Sequence, residues 1–155
     1  MHPSQPHLNV RASSSWTAEQ IADYLHACVH PLRLSLIANG TPLIVPLWFE
    51  FKDGLLWCAC SKEAKVARLV GEQGKCGFDV SDNTMPYRGV RGQGSVSLSP
   101  ADGEPALRAL IQRYLPRDDS DFARWLLSRA DAEVAIVIRP DWITAWDFST
   151  RMEEL

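Results

Sequence analysis

The stretch W-C-A-C-S-K-E-A-K-V-A-R-L, residues 57–69, decides how the chain is organised. Its first residues are apolar and suit a buried strand, whereas its later apolar residues recur at helical spacing. Ser61, Lys62 and Lys65 therefore fall at a strand-to-helix junction. Lysine is unfavourable in the first turn of a helix, where the peptide dipoles already place positive charge, unless an anion binds there. Two interpretations are open: a phosphate site, or lysines that point into water.

Size and composition indicate one globular domain, and they do not favour binding to nucleic acid or insertion into a membrane. The chain has 155 residues, of which 46% are hydrophobic and 23% charged, enough for a single packed core. A net charge of −3 gives no overall attraction to nucleic acid. The apolar runs are far shorter than the roughly 20 residues of a membrane-spanning helix. We therefore expect neither nucleic acid nor a membrane as a partner.

The first residues of the chain lack the apolar segment of a secretory signal. Residues 1–14 are rich in proline, serine and histidine, and we interpret them as a flexible tail before a single domain at 15–155. Because no export signal is evident, we expect the protein to be cytoplasmic.

Four cysteines stand among hydrophobic neighbours, at Cys28, Cys58, Cys60 and Cys76. Their spacing is not that of a zinc site, since no second close-spaced pair completes a tetrahedral ligand set. Free cysteine is often buried as a small hydrophobic residue. We predict reduced cysteines in the core and no metal site.

The region before residue 60 reads as a helix followed by strands. Thr17 and Gln20 form a capping box for a helix that ends before Pro31. Alternating apolar residues and tight turns then predict a three-strand antiparallel meander. Its strands are expected at residues 32–38, 43–51 and 55–59.

Pro46 lies inside the second of these predicted strands. Proline has no N–H group to donate to a sheet, so it belongs at an edge strand or a bulge. A strand edge that faces a ligand is one such place.

A glycine-rich strand follows, with the sequence R-G-V-R-G-Q-G-S-V-S-L at residues 88–98. Glycines weaken a strand, so three of them indicate close approach by a backbone or a flat ligand, or a strongly coiled barrel strand. Two helical segments and two closing strands complete the chain, at residues 101–115, 118–130, 133–138 and 142–147. Six or seven short strands with few helices fit a nearly closed antiparallel barrel, mainly β with covering helices.

No catalytic motif is recognisable in the sequence, which has neither a nucleophile elbow nor a P-loop. What recurs near the predicted strand ends is a set of cationic, hydroxyl and aromatic side chains. Such a set suits a phosphorylated aromatic cofactor, because cations neutralise phosphate and flat walls receive a planar ring. Its members are Arg33, Trp48, Ser61, Lys62, Lys65, Arg88, Arg91 and Trp146.

Five segments in this order resemble the pyridoxamine 5′-phosphate oxidase-like family of flavin-binding split barrels. They are L-R-L-S-L, N-G-T-P-L-I-V-P-L-W-F, S-K-E-A-K-V-A-R-L, Y-R-G-V-R-G-Q-G-S-V-S-L and I-R-P-D-W-I-T-A-W-D-F, between residues 32 and 148. The resemblance implies a six-stranded antiparallel split β-barrel. It also implies a homodimer that binds FMN in clefts between the subunits.

The resemblance places Lys65 at the lysine of the family's phosphate-binding segment and Arg33 at the arginine of its first strand. The cofactor-binding residues that we predict on this basis are Arg33, Ser35, Pro46, Trp48, Ser61, Lys62, Lys65, Arg88 and Trp146. No catalytic residue is predicted.

The sequence also departs from the true oxidase. That enzyme has an S-R-K triplet in the phosphate turn, whereas Glu63 and Ala64 directly precede Lys65 here. The C-terminal arginine and histidine motif that recognises pyridoxine phosphate is missing from the sequence. We therefore expect an FMN-binding oxidoreductase that passes electrons or hydride between reduced nicotinamide and a small acceptor. The alternatives are an F420-dependent reductase and a non-catalytic flavin- or haem-binding dimeric barrel.

Overall fold

The computed structural model describes residues 7–153 as seven strands with helices around them. The strands are β1 (Leu32–Ala38), β2 (Thr41–Leu47), β3 (Glu50–Lys52), β4 (Leu55–Ser61), β5 (Lys75–Ser81), β6 (Arg88–Ser99) and β7 (Glu133–Asp147). The helices are α1 (Ala18–Ala27), α2 (Lys65–Gln73), α3 (Gly103–Tyr114), α4 (Asp121–Leu127) and α5 (Ser149–Met152). Within residues 7–153, no helix has the length and apolar character needed to cross a membrane.

One sheet contains all seven strands in the order β2-β1-β5-β6-β7-β4-β3, and every neighbouring pair is antiparallel. The two edge strands, β2 and β3, are consecutive in the chain. Leu47 ends β2 and Glu50 begins β3, so three residue steps, about 10 Å of extended chain, join the two edges. The sheet must therefore curl round on itself into a barrel with an opening between its edges.

The mainly β class and the antiparallel barrel with covering helices are confirmed, but the sheet has seven strands, not six. The predicted strand at residues 43–51 is two strands, which pair with β1 on one side and with β4 on the other. The predicted meander is therefore wrong, because β2 does not pair with β4. The two predicted closing strands are instead one long strand, β7, whose ladder with β6 shifts register between Gln93 and Gly94.

The helix ends agree with the sequence at α1 and differ at α2. Thr17 caps α1 and Gln20 completes the capping box, as predicted. Glycine is a common C-terminal cap, so the sequence predicts that the helix after Ser61 ends at Gly71. Helix α2 instead continues to its cap at Gly74, which adopts the left-handed conformation with φ of 72°. Gly71 is compatible with the helix because its neighbours bury an apolar face that outweighs the cost of about 1 kcal/mol for glycine.

The segment after residue 7 lies against β7. Leu8 is buried, Val10 bridges Ile143, and the Arg11 N–H donates to the Ile143 carbonyl at 3.0 Å. The Ala145 N–H donates to the Ser14 hydroxyl at 3.0 Å. This part of the predicted flexible tail is thus docked on the barrel through backbone hydrogen bonds, and residues 1–6 lie outside the described residues.

The barrel interior holds the apolar side of every long strand together with one face of α1 and α2. Cys28, Cys58 and Cys76 are buried there and Cys60 is half-buried, in agreement with the predicted core role. Burial raises the pKa of the Cys60 and Cys76 thiols to about 11. These thiols are therefore almost entirely protonated at neutral pH, which suits packing rather than nucleophilic chemistry.

Close backbone approach explains the glycines of β6. A Cβ atom on Gly92 would lie 2.4 Å from the Trp142 carbonyl oxygen and 2.6 Å from the Phe78 ring. One on Gly94 would lie 2.1 Å from the Arg139 carbonyl oxygen, at the register shift of the ladder. The coiled-strand interpretation accounts for both positions, because neighbouring strands fill the space that a flat ligand would need.

Candidate functional site

The opening between β2 and β4 is the most distinctive feature of the barrel. Glu50 pairs with Trp57 in the antiparallel β3–β4 ladder. If that ladder continued for four more residues, Pro46 would lie opposite Ser61. The chain bends at Trp48 instead, and β2 pairs with β1. We define the split as this gap, bordered by residues 45–47 of β2 and 58–61 of β4.

Ser61, Lys62 and Lys65 lie together where β4 ends and α2 begins, as predicted. The Lys62 N–H donates to the Ala132 carbonyl at 2.8 Å and the Glu63 N–H donates to the Ser61 hydroxyl at 3.3 Å, which shapes the turn. Both lysine side chains are exposed, and within residues 7–153 neither forms an ion pair.

Helix α2 begins without a capping side chain. Its N-cap is Ala64, which has no side-chain hydrogen-bond acceptor, and its first turn has no acidic residue. The first intrahelical bond is donated by Arg68, so the preceding N–H groups have no acceptor within the helix. Uncapped N–H groups, a hydroxyl and two ammonium groups at one place make a good site for an anion.

Arg33 and Pro46 lie on the other side of the split. They lie directly opposite each other in the β1–β2 ladder. The residues before and after Arg33 in β1 are buried in the core, so the side chains of Arg33 and Pro46 are on the outer face. The Arg33 guanidinium donates to the Pro31 carbonyl at 3.2 Å. Arg33 and Pro46 are therefore cross-strand neighbours on the β2 side of the split, whereas Ser61 belongs to its β4 side.

Ser35 lies two residues further along β1, away from the split. It lines a separate groove of about 440 Å³ on the outer face, with Ile37, Lys75, Gly77, Gln93 and Asp141. Lys75 and Asp141 form an ion pair of 3.1 Å across this groove. Ser35 therefore lies on the same face of β1 as Arg33, but beside the outer groove rather than beside the phosphate turn.

Trp48 occupies the bend of the chain at the split and is held by α3. Its ring stacks on Tyr114 with 5.0 Å between centroids and 3° between planes. The Tyr114 hydroxyl accepts a hydrogen bond from the Phe49 N–H at 3.2 Å and donates to the His30 carbonyl at 3.1 Å. Tyr114 thus fixes the bend. The helical spacing of the sequence indicates that Tyr114 lies on the apolar face of its helix, but it does not predict the hydrogen bonds of its hydroxyl group.

Arg88 and Trp146 lie far from the phosphate turn within one chain. They are at the Asp147 end of β7, whereas Ser61 pairs with Glu133 at the other end of that strand. Arg88 forms an ion pair with Asp82 at 3.1 Å. The nine predicted residues therefore do not form one group within a single chain.

Glu133 is a neighbour of the phosphate turn that the sequence did not reveal. It pairs directly with Ser61, so the two side chains share a face of the β4–β7 ladder. Burial raises the pKa of the Glu133 carboxyl, and the positive charge of Arg129 opposes that shift. A carboxyl that holds its proton more tightly is more compatible with a nearby anion. Only the cross-strand register, which pairs residues 72 positions apart, brings Glu133 to this place.

Replacing Glu133 by glutamine should make the protein more stable at neutral pH. Because the folded-state pKa is raised, the folded protein binds the proton more tightly, and stability falls as pH rises from the ordinary glutamate pKa through the raised value. Glutamine removes this loss. We expect the variant's melting temperature to exceed that of the wild type near pH 7.5 and to match it near pH 4.

The exposed Glu63, in the same turn, provides the matched control. Glu63→Gln removes one negative charge from an exposed position of the same turn and so controls for the change in net charge. A Glu133→Gln variant with the same melting difference at both pH values would contradict the proposed burial.

Comparisons with known proteins found the fold among solved structures. No protein-family description matches the chain, and no curated protein matches it. The conserved hypothetical protein Rv2991 from Mycobacterium tuberculosis superposes with a TM-score of 0.74 at 19% identity, over 90% of this chain and 89% of that chain. An F420 reductase superposes with a TM-score of 0.63 at 21% identity, over 79% of this chain and 94% of that chain.

A protein from Listeria innocua, provisionally described as a pyridoxamine 5′-phosphate oxidase, superposes with a TM-score of 0.63. The two chains are 15% identical over 84% of this chain and 97% of that chain. At such identities the likeness establishes the fold. The chain therefore has the split-barrel fold shared by the pyridoxamine 5′-phosphate oxidase-like proteins, which confirms the resemblance seen in its sequence.

Proposed function

We propose that the protein binds FMN at the split and passes electrons or hydride between reduced nicotinamide and a small acceptor. The observation that carries this proposal is the start of α2, where Ser61, Lys62 and Lys65 lie beside N–H groups that have no acceptor within the helix. Similar folds include a FAD-binding protein from Mycobacterium smegmatis and one from Mesorhizobium loti.

The residues present fit a flavin phosphate. A phosphate needs several hydrogen-bond donors and compensating positive charge, and the start of α2 provides both without a competing capping side chain. In the proposed complex, Lys65 and Lys62 neutralise the phosphate and the Ser61 hydroxyl donates to it. Arg33, across the split, adds a further positive charge.

FMN supplies the hydride chemistry when it is bound. The chain's own part is to bind and orient it. Pro46 has no N–H group, so at this position the free edge of β2 offers a flat apolar surface rather than a hydrogen-bond donor. Tyr114 and Trp48 hold the bend between β2 and β3 and so keep the split open.

We also propose a homodimer whose subunits meet on the outer face of β1 and β2. Helix α3 packs against β3, β4 and β7, whereas Ile37 and Ile44 on β1 and β2 are 49% and 65% exposed. An exposed edge strand with apolar residues is a site for association. In such a dimer, Arg88 and Trp146 would contribute to a cofactor cleft only from the second subunit.

The proposed location is the cytoplasm. The four cysteines are free thiols, and three of them are buried. Such thiols persist in reducing compartments, where disulfides are rare.

An F420-dependent reductase is the second candidate, because an F420 reductase has the same fold at 21% identity. A longer anionic cofactor tail needs more positive charge beyond the phosphate turn. Arg33 of β1 and Arg91 of β6 offer it on the outer face. In the sheet register both lie directly opposite Asp79 of β5. FMN remains the first candidate because the start of α2 offers a binding site for a single phosphate group.

Reconstitution with FMN tests the proposal. The purified protein should turn yellow, retain the flavin through gel filtration at the elution volume of a dimer, and be bleached by reduced nicotinamide under anaerobic conditions. Competition between FMN and F420 decides which cofactor is preferred. A colourless protein without measurable affinity for either cofactor would overturn the proposal, and a bound flavin that no reductant bleaches would leave only the binding part of it.

A further inference from the structure

Beside the split, the structure exposes a group of aromatic rings that the fold does not need to bury. Trp48 stacks on Tyr114 and meets Phe122 edge to face, with 6.4 Å between centroids. Phe122 and Trp125 on α4 are nearly parallel, 14° apart with 6.0 Å between centroids. We name Trp48, Tyr114, Phe122 and Trp125 the aromatic ladder.

The outer half of the ladder is open to solvent. Phe122 is 50% exposed and Trp125 is 52% exposed, although both are large apolar side chains. The core under α4 is built by other residues of that helix, such as the fully buried Ala123 and the partly buried Leu126. The two exposed rings are therefore available to a ligand.

A cation accompanies the exposed rings. The central carbon of the Arg129 guanidinium lies 4.9 Å from the centroid of the Trp125 ring. Its side chain is exposed, and within residues 7–153 it forms no ion pair and no side-chain hydrogen bond. Arg129 also acts on the Glu133 carboxyl, whose charged form it favours, so a ligand carboxylate would share the guanidinium with Glu133. The N–H donors can bind such a ligand in the two-pronged geometry that guanidinium favours.

The ladder begins at the β2 border of the split. Trp48 stands at the bend next to β2, while the segment after Trp125 reaches Ala132, whose carbonyl accepts the hydrogen bond from the Lys62 N–H. A ligand on the ladder would therefore lie beside the split without using the phosphate turn.

We propose that the aromatic ladder and Arg129 form a binding site for a planar aromatic carboxylate. Parallel aromatic rings select a flat ring by stacking, and the guanidinium selects its acid group. The size of the patch favours a small molecule, since two half-exposed rings fall far short of the roughly 1,000 Å² of a stable protein interface. The proposal is independent of flavin binding.

Nuclear magnetic resonance of the ¹⁵N-labelled full chain without flavin tests the site, with naphthalene-2-carboxylate as the probe. The six tryptophans give six indole N–H signals. We expect the Trp125 signal to shift saturably and the Trp48 signal to shift less, while those of Trp142 and Trp146 stay in place. Trp125→Phe assigns the decisive signal.

Matched probes and variants separate stacking from charge recognition. Arg129→Gln should weaken binding of the probe by about 10-fold or more, the loss typical of one charge-assisted hydrogen-bonded pair. The saturated decahydronaphthalene-2-carboxylate should bind much more weakly than the aromatic acid. Arg68→Gln, an exposed arginine on α2, should leave the affinity unchanged.

Three results would overturn the proposal. They are a Trp125 signal that does not respond to the probe, equal affinities for the aromatic and the saturated acid, and an affinity that Arg129→Gln does not change. A Trp125 signal that depends on protein concentration but not on the probe would show instead that a second copy of the chain covers the ladder. Unchanged dispersion of the remaining signals confirms that each variant is folded.

Discussion

Replacing Lys65 by alanine is expected to weaken FMN binding by about 10- to 100-fold. Lys65 is the first residue of α2 and is exposed beside the uncapped N–H groups, so in the proposed complex its ammonium group meets the phosphate directly. A charge-assisted hydrogen bond contributes about 1.5–3 kcal/mol, which corresponds to this range. Titration of flavin fluorescence with wild-type and variant protein measures the difference.

The same substitution should not destabilise the protein without flavin. A lysine at the N-terminus of a helix opposes the helix dipole, so its removal should leave the free energy of unfolding unchanged or raise it by up to about 1 kcal/mol. Lower flavin affinity together with equal or higher stability is a combination that a misfolded variant does not produce.

Lys75→Ala is the matched control for this prediction. Lys75 is also exposed, but it forms an ion pair with Asp141 in the outer groove, away from the split. Its removal should change flavin affinity by less than about twofold, the effect of a screened distant charge. Equal losses for Lys65→Ala and Lys75→Ala would mean that FMN responds only to net charge, which would contradict the phosphate site at α2.

Replacing Gly94 by alanine is expected to lower the melting temperature by about 2–12 °C. The added Cβ would lie 2.1 Å from the Arg139 carbonyl oxygen and 2.9 Å from the Pro140 Cα. Both are backbone atoms in the partner strand, so β7 would have to move at the register shift. Such overpacking costs about 1–3 kcal/mol, and about 1 kcal/mol shifts the melting temperature of a domain this size by roughly 2–4 °C.

Gly77→Ala tests whether the effect belongs to this close approach rather than to strand glycines in general. Gly77 lies on the neighbouring strand, opposite Gln93, and a Cβ there would meet its nearest atom, the Ser35 Cβ, at an ordinary 3.7 Å. Its replacement should leave the melting temperature unchanged or raise it slightly, because alanine restricts the unfolded chain. Equal destabilisation by both variants would contradict the close packing of β6 on β7 at Gly94.

Local signals in the sequence anticipated many of the elements. The capping box at Thr17 and Gln20 and the turn at Asn39 and Gly40 involve residues close in the chain, so their physics is complete within a few positions. The same holds for the junction at Ser61, since the alternation before it and the helical spacing after it are both local. These parts of the prediction are confirmed.

Pairing partners were harder to predict. The apolar run around Pro46 reads as one strand because both halves have strand-like residues, yet one half pairs with β1 and the other with β4. The break at Trp48 depends on Tyr114, 66 positions later, through ring stacking and a hydrogen bond. No local pattern contains that information.

The candidate site divides along the same line. The sequence by itself determined the strand-to-helix junction at Ser61, with its lysines at a helix start, because charge, spacing and helix dipole all act within one turn. Only the tertiary structure decided that Arg33 and Pro46 are cross-strand neighbours and that Glu133 pairs with Ser61. It also separated Arg88 from the junction, since cross-strand register sets which distant residues meet.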